Sequence, residues 1–256
     1  MTLHIIGLGL GNEKDITLRG LEAVKKCDII YLESYTSILQ CKVEDLGKLF
    51  GKKIILASRE LVEADNNEIL KNSKTKNVAL LVVGDPFSAT THIDLFLRAK
   101  KEKIEIKIVN NASILTSVGI TGLQLYKFGK TASIPINNEN VESPYDVLKA
   151  NLSLGLHTLF LLDLEPSKDK FLSINDAINY LLRVESKRKE NVFAKSTLCV
   201  GCARIGSENS KIRAGIAESL LNYDFGEPPY CLVVPGNLHF MESDALRIYY
   251  DYIKPS

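Results

Sequence analysis

Residues 3–33 constrain the fold more than any other stretch of the chain. Leu3, Ile5 and Ile6 read as a strand, and Gly7-Leu8-Gly9-Leu10-Gly11 follows as a loop. Asp15 to Lys26 reads as a helix, with Leu18, Leu21 and Val24 at helical spacing and Asp15 or Thr17 placed to cap its start. Asp28-Ile29-Ile30-Tyr31-Leu32 is the next strand. Strand, loop, helix and strand make a βαβ unit, which joins parallel strands. Its first loop then lies at the carboxyl edge of the sheet, where open α/β sheets bind ligands.

The glycine spacing departs from the dinucleotide fingerprint, in which G-x-G-x-x-G runs straight into a helix. Here the third glycine comes one place early and Asn12 stands where it is due. Glu33 does end the second strand, as the ribose-binding acid of that fingerprint would, so an NAD-dependent oxidoreductase remains an alternative on pattern alone. By themselves the glycines require only a turn with positive φ, or the close approach of a ligand or another backbone.

The first half goes on alternating strands with helical patterns. Lys53 to Leu56 and Val78 to Val83 are strands, the second a continuous apolar run suited to a central parallel strand covered on both faces. His92 to Lys101 reads as a helix and Glu105 to Val109 as a fifth strand, after which Asn110-Asn111-Ala112 breaks the pattern. In the second half, Ala132 to Ile136, His157 to Leu162, Thr197 to Ala203 and Tyr230 to Val234 read as strands. Helices are expected at Tyr145 to Leu152, Ile174 to Glu185 and from Phe240 to about Tyr252, with a further one entered from Ser207 to Ala214; Ser186 to Lys195 reads as a loop. Proline and glycine bound these strands more often, so hairpin returns are expected. The fold class is α/β in two domains: residues 1–112 around a parallel sheet, and residues 113–256 around a mixed one.

Charge removes one class of partner. Lys+Arg 32 against Asp+Glu 31 leaves +1, which gives no electrostatic case for nucleic acid. The basic run Lys187-Arg188-Lys189 reads as a solvated face. Five cysteines, no leader segment and no apolar run long enough to span a bilayer point to a reducing cytoplasm and no membrane. Cys199-Val200-Gly201-Cys202 is the one CxxC, and it falls in an expected strand where residues three apart point to opposite faces. No metal is expected. Neither G-x-S-x-G, H-E-x-x-H nor a Walker loop occurs, so hydrolysis by an activated serine, zinc or a P-loop has no support.

What chemistry the chain offers gathers after strands. Gly84-Asp85-Pro86 follows the central strand, and Asn111-Ala112-Ser113-Ile114 follows the fifth. With residues 7–11 these loops would share one sheet edge, and their clustering says more than any of them alone. His239, after Pro235-Gly236-Asn237-Leu238, is placed as a helix cap.

These segments resemble the diphthine synthases. The resemblance is carried by the glycine loop with Asp15-Ile16-Thr17-Leu18-Arg19-Gly20-Leu21, by Tyr31-Leu32-Glu33-Ser34-Tyr35-Thr36-Ser37, and by Gly84-Asp85-Pro86-Phe87-Ser88-Ala89-Thr90-Thr91-His92. Asn111-Ala112-Ser113-Ile114, His157-Thr158-Leu159, Cys199-Val200-Gly201, Ala203-Arg204-Ile205-Gly206 and Gly226-Glu227-Pro228-Pro229 extend it over nearly the whole chain. Gly-x-Gly-x-Gly and Gly-Asp-Pro alone would indicate only the wider tetrapyrrole-methylase-like superfamily.

The resemblance implies a class III methyltransferase that uses S-adenosyl-L-methionine and releases S-adenosyl-L-homocysteine, with the cofactor in a cleft between the two domains. It implies a homodimer. The substrate would be translation elongation factor 2, methylated on the amino group of its modified histidine during diphthamide biosynthesis. By motif position the cofactor contacts fall on Leu10, Asp85, Ser88, Ser113, Ile114, Leu164, Ala214 and His239. A tetrapyrrole or other small-molecule methyltransferase is the nearest rival, and a non-catalytic nucleotide-binding regulator a further one.

Methyl transfer from a sulfonium needs neither metal nor protein nucleophile. It needs alignment, and an amine that has lost its proton. Asp163, Glu165, His239 or a water are the candidate proton acceptors, so no catalytic residue is fixed. Glu33 and the hydroxyls of Tyr35 and Thr36 are expected to hold the zwitterionic amino-carboxypropyl group of the acceptor, the acid opposite its ammonium; the alternative is that they cap the next turn.

Overall fold

The computed structural model describes residues 1–64 and 67–250. Chain contacts divide it into two units. The first comprises Met1–Ser117 with Gly206–Glu208, the second Val118–Ile205 with the chain from Asn209 onward.

In the first unit the chain forms β1 (Thr2–Gly7), α1 (Leu18–Lys25), β2 (Ile29–Glu33), α2 (Val43–Phe50), β3 (Ile54–Ala57), α3 (Arg59–Glu63), α4 (Glu68–Ser73), β4 (Val78–Val82), α5 (Ile93–Lys101), β5 (Glu105–Val109) and α6 (Ile114–Ser117). The five strands make one parallel sheet in the order β3-β2-β4-β1-β5. Alternate residues serve alternate faces. Leu3, Ile5, Tyr31, Leu80 and Val82 pack with Leu95 of α5 and Ile69 of α4, while Ile6, Ile30, Leu32, Ala79 and Leu81 pack with Val24 of α1 and Leu46 of α2. This double covering is why Val78 to Val82 is an unbroken apolar run.

Strands β1 and β4 are neighbours whose outgoing connections leave in opposite directions across the sheet, β1 toward β2 and β4 toward β5. Where connections diverge, a crevice opens at the carboxyl ends of the strands. The loops that flank it are the glycine loop and Gly84-Asp85-Pro86. Thr17 caps α1, its hydroxyl accepting from Gly20 N–H at 3.0 Å, so the helix starts later than Asp15.

In the second unit the chain forms β6 (Ala132–Ile134), α7 (Ser143–Ser153), β7 (Thr158–Leu162), the two-residue strands β8 (Leu164–Glu165) and β9 (Lys170–Phe171), α8 (Ile174–Arg188), β10 (Leu198–Ala203), β11 (Lys211–Ile216), α9 (Ala217–Leu220), β12 (Tyr230–Val234) and α10 (Phe240–Leu246). Five of its strands form a sheet in the order β11-β10-β12-β7-β6, antiparallel except for the parallel β6–β7 pair. Helices α7 and α8 cover one face through Tyr145, Leu148, Ile178, Leu181 and Val184 against Phe160, Leu162, Leu232 and Val234. One parallel and one mixed sheet are the fold class read from the sequence.

Several local expectations change. Residues Lys211–Ile216 are a strand, pairing with β10 as a hairpin, and the helix they were expected to enter is only Ala217–Leu220. The alternation of Ile212 and Ala214 with polar residues suits an antiparallel strand. Helix α8 runs on to Arg188, and Lys189 ends it in the left-handed conformation (φ 55), so the expected loop begins later. Arg188 is not merely solvated: it pairs with Asp146 at 2.5 Å and Glu190 at 2.9 Å and stacks over the Tyr145 ring. The last helix ends at Leu246 and continues as a 3-10 turn over Arg247–Tyr249; Tyr252, its expected end, lies outside the described residues.

Candidate functional site

The loops after β1, β4 and β5 are knitted together. Leu8 N–H donates to Val82 O at 2.8 Å, and Gly9 and Gly84 exchange both backbone hydrogen bonds, at 3.2 and 2.8 Å. Neither glycine can be replaced cheaply, since Gly9 has φ 80 and Gly84 φ 81. A side chain on Gly84 would project into a space framed by Leu10 Cδ2 at 3.6 Å and Ala112 O at 3.8 Å. Those are ordinary contact distances, so glycine here lets the three loops approach one another closely.

Asp85 is the knot. Its Oδ1 accepts from Phe87 N–H at 3.0 Å and the Ser88 hydroxyl at 3.1 Å, its Oδ2 from Asn110 Nδ2 at 2.9 Å and Asn111 N–H at 3.2 Å. Burial alone would raise its pKa, but these donors prevail and hold the carboxyl below its ordinary value. With its lone pairs engaged inside the protein, Asp85 shapes the loops, and what it presents to a ligand is mainly backbone.

Asn111 and Asp15 complete the frame, and sequence reasoning gave neither this role. The Asn111 amide donates to Gly7 O and Asp15 O, both at 3.0 Å, while Asp15 Oδ2 accepts from Gly11 N–H at 2.6 Å. Gly206 reaches the same place, since a side chain there would strike Leu10 Cβ at 2.6 Å. The signals were present as asparagines after β5 and an acid just past the glycines, but local sequence does not say what a cap's free atoms will meet.

Of the residues singled out earlier, Leu10, Asp85, Ser88 and Ser113 belong to these three loops, and Ile114 opens α6 directly after the third. Asp85 and Ser113 are buried; Leu10, Ser88 and Ile114 are half-buried. Leu164, Ala214 and His239 lie in the second unit on separate elements: Leu164 in β8, Ala214 buried in β11 opposite Val200, and His239 exposed as the N-cap of α10.

The His239 segment is held by a buried carboxylate that the sequence did not reveal. Glu242, fully buried, accepts from Gln124 N–H and His157 Nε2, both at 2.9 Å, from His239 N–H at 2.7 Å and from Lys127 Nζ. Although burial opposes ionisation, these donors bring its pKa down to about 2. His157 Nδ1 accepts from Gly236 N–H at 2.9 Å, so the proton sits on Nε2. Burial outweighs the pull of Glu242 and keeps the His157 pKa below its ordinary value.

The expectation that Glu33 meets a substrate ammonium is corrected. Glu33 is 1% exposed, and its carboxylate accepts from Tyr35 N–H, Thr36 N–H and the Thr36 hydroxyl. It caps the turn after β2. The candidate proton acceptors are also engaged: Asp163 accepts from Leu164 and Ile136 N–H, Glu165 pairs with Lys168 at 3.2 Å, and His239 Nδ1 accepts from Met241 N–H.

All five cysteines are free thiols, and Cys202 lies directly opposite Cys231 across the β10–β12 ladder. Among the described residues no group of three or more His, Cys, Asp or Glu side chains could hold a metal ion, and no helix is long and apolar enough to cross a membrane.

The profile of the family described as Tetrapyrrole (Corrin/Porphyrin) Methylases matches residues 2–221. A diphthine synthase of Methanococcus maripaludis is 46% identical over 254 residues, covering 98% of this chain and 100% of the relative. A diphthine methyl ester synthase of Schizosaccharomyces pombe is 46% identical over 264 residues, covering 96% of this chain and 93% of the relative. A crystal structure of diphthine synthase superposes with a TM-score of 0.90 at 38% identity, covering 98% of this chain and 96% of the other. Full-length identity and a shared fold, with a glycine loop and Gly-Asp-Pro turn at the switch point of a parallel sheet, place the chain among the methyltransferases: it belongs to the diphthine synthases of the tetrapyrrole methylase family.

Proposed function

We propose that the chain methylates the amino group of 2-(3-amino-3-carboxypropyl)histidine in translation elongation factor 2, giving diphthine, with S-adenosyl-L-methionine as the donor. The observation that carries the donor assignment is the backbone cradle of Gly9, Gly84 and Asp85 at the switch point, bordered by Leu10 and Ala112. Leu10, Asp85, Ser88, Ser113 and Ile114 are the proposed contacts in the first unit. The family resemblance adds Leu164, Ala214 and His239 from the second. When bound, the donor supplies an activated methyl group on a sulfonium. The chain's own residues hold the reactants in line and keep water out.

The test is mass spectrometry of elongation factor 2 bearing the unmethylated group, after incubation with the protein and labelled S-adenosyl-L-methionine. Label on that histidine is expected; label confined to a tetrapyrrole, or none, would overturn the reading. The name of the fission-yeast relative favours a second acceptor, the carboxylate of the same group. Mild base separates the two, since it hydrolyses an ester and leaves an N-methyl group in place.

The same reading proposes a cytoplasmic homodimer. Free thiols suit a reducing compartment. Ile120, Leu125, Tyr126, Phe240, Met241 and Ile248 are all exposed large apolar residues of the second unit. They flank two segments that are tied together, Tyr249 Oη donating to Ile120 O at 2.7 Å and Gln124 N–H to Glu242 at 2.9 Å. Exposed apolar side chains on two tied segments support association through this part of the second unit.

A further inference from the structure

The net charge of +1, which argues against a nucleic-acid partner, is an average over an uneven surface. Every strand of the parallel sheet starts at one edge and ends at the other, where the glycine loop lies. The turns that enter β2, β3, β4 and β5 therefore share the starting edge. These turns, residues 25–28, 51–53, 74–77 and 100–104, carry nine lysines against two acids, Asp28 and Glu102. They contain no arginine and no aromatic residue. Hydrogen bonds and an ion pair tie them into one surface. Asp28 N–H donates to Asn77 O at 2.7 Å and Asn77 N–H to Asp28 Oδ2 at 2.8 Å, Lys52 Nζ donates to Lys25 O at 2.7 Å, and Lys74 pairs with Glu102 at 2.8 Å.

Both acids are thus engaged within the edge. Lys25, Lys26, Lys53, Lys76, Lys101 and Lys103 stay exposed, and among the described residues their ammonium groups have no hydrogen bond or ion pair. Helix carboxyl ends attract lysine for reasons of their own, and α1, α4 and α5 end here. That attraction falls off within the last turn, whereas Lys53, Lys76 and Lys103 lie past the helices. Lys103 even holds the left-handed conformation, φ 58, which favours glycine or asparagine. The excess is felt inside the sheet too: burial is the main cause that lowers the His4 pKa, and Lys107 and Lys26 add to it against Glu105. Ammonium groups gathered without acids repel one another, and an anionic partner relieves that repulsion.

We propose that this edge of the sheet docks the phosphate backbone of double-stranded RNA. The strand order β3-β2-β4-β1-β5 sets the lysines in a row: Lys53, then Lys26, then Lys76, then, across β1, Lys101 and Lys103. Strands about 4.8 Å apart make that row about 20 Å long. A nucleic-acid duplex presents about a dozen charges over the same length. Lysine meets phosphate as a point charge, and without aromatic side chains the edge has nothing on which to stack the bases of a single strand. The four turns expose no large apolar side chain to insert into a lipid surface. Protein interfaces are depleted in lysine and need an apolar centre, which these turns also lack. RNA is chosen over DNA because the proposed acceptor is a translation factor, and on that point alone the inference rests on the function proposed above. Strands of five or six residues hold the lysines about 17 Å from the loops of the proposed donor cradle, so docked RNA leaves those loops open.

The probe is a fluorescent RNA duplex of about 20 base pairs, followed by anisotropy. The parent should bind it with a micromolar or tighter dissociation constant in about 50 mM salt, and about 100-fold more weakly in about 200 mM, as four phosphate contacts require. No binding at the lower salt overturns the proposal. The combined exchange Lys26→Gln, Lys53→Gln, Lys76→Gln, Lys101→Gln and Lys103→Gln should weaken binding by about tenfold or more. Its melting temperature and its methyl transfer to isolated elongation factor 2 should stay at the parental level. Exchanging Lys168, Lys170, Lys187, Lys189 and Lys195 of the second unit for Gln removes the same charge and should change RNA affinity by less than about threefold. Equal losses in the two variants overturn the proposal. So does tighter binding, by about tenfold, to a DNA duplex of the same sequence, to poly-glutamate or to phosphatidylserine vesicles. A measurement on the parent needs no variant. Periodate-oxidised RNA, which couples to lysine, should mark the turns at 25–28, 74–77 and 100–104, and marking confined to the second unit overturns the proposal however the variants fold. A parent that binds RNA at this edge but leaves elongation factor 2 unlabelled would count against the proposed function and leave the docking surface standing.

Discussion

At the scale of single residues, the buried carboxylates organise the molecule by accepting hydrogen bonds from backbone and side chains. Asp85 accepts from four donors on two loops. Asp85→Asn turns one of its oxygens into a donor facing donors. Affinity for S-adenosyl-L-homocysteine should drop by about 1–3 kcal/mol, read by calorimetry. An unchanged affinity would detach Asp85 from the loop frame. His157 carries a pH dependence whose sign is fixed by its burial. Its folded pKa lies below the ordinary value of 6.5, so the folded state favours the neutral ring. The stability this contributes is full above 6.5 and is lost as pH falls through the lowered folded value. Protonation would also set Nδ1–H against Gly236 N–H. The melting temperature should therefore fall between pH 7.5 and 5, and His157→Gln should flatten the slope. His4, also lowered chiefly by burial, leaves a residual slope of the same sign in that variant.

At the scale of elements, much of the first unit was legible in the sequence. Val78 to Val82 announces a central strand because both faces are covered, and the β1–loop–α1–β2 order follows from one apolar period giving way to another. What stayed hidden were contacts between residues distant in the chain. Glu33 ends its strand as expected, yet only the fold shows that its carboxylate turns back onto Tyr35 and Thr36. Glu242 reads as an ordinary helix-start acid until residues 124–127 and His157 arrive beside it. The β11 hairpin was misread because six residues of mixed character fit a helix entry as well as an edge strand. Two glycines separate close approach from mere turning. A Cβ on Gly7 would lie 2.5 Å from Gly84 O, whereas Gly51, a helix cap with φ 66, has open space around it. Gly51→Ala should cost about 1 kcal/mol of stability and leave cofactor affinity alone. Gly7→Ala should push β1 from the Gly-Asp-Pro turn and lower both, a difference that thermal melts with and without S-adenosyl-L-homocysteine will resolve.

At the scale of the whole molecule, the proposed dimer can be tested on the exposed apolar residues of the second unit. Tyr126 is 80% exposed and Ile248 76%, far more than a core side chain would be. The double exchange Tyr126→Glu and Ile248→Glu should convert a dimer to a monomer by light scattering at micromolar concentration, without lowering the melting temperature of the monomer. A parent that is already monomeric would remove the patch from consideration. The chain also returns to complete what it began. The first unit contains Gly206–Glu208, and Gly206 lies against the glycine loop laid down some two hundred residues earlier. A ribosome delivers the amino end first, so the parallel sheet can form while the first unit's last three residues are still unmade. During that interval Leu10 lacks its neighbour Gly206, and the proposed donor cradle stays unfinished until most of the second unit has been synthesised. A nascent chain stalled short of residue 206 should therefore protect its sheet from proteolysis yet fail to retain S-adenosyl-L-homocysteine, so that the capacity to bind the cofactor arrives late in translation.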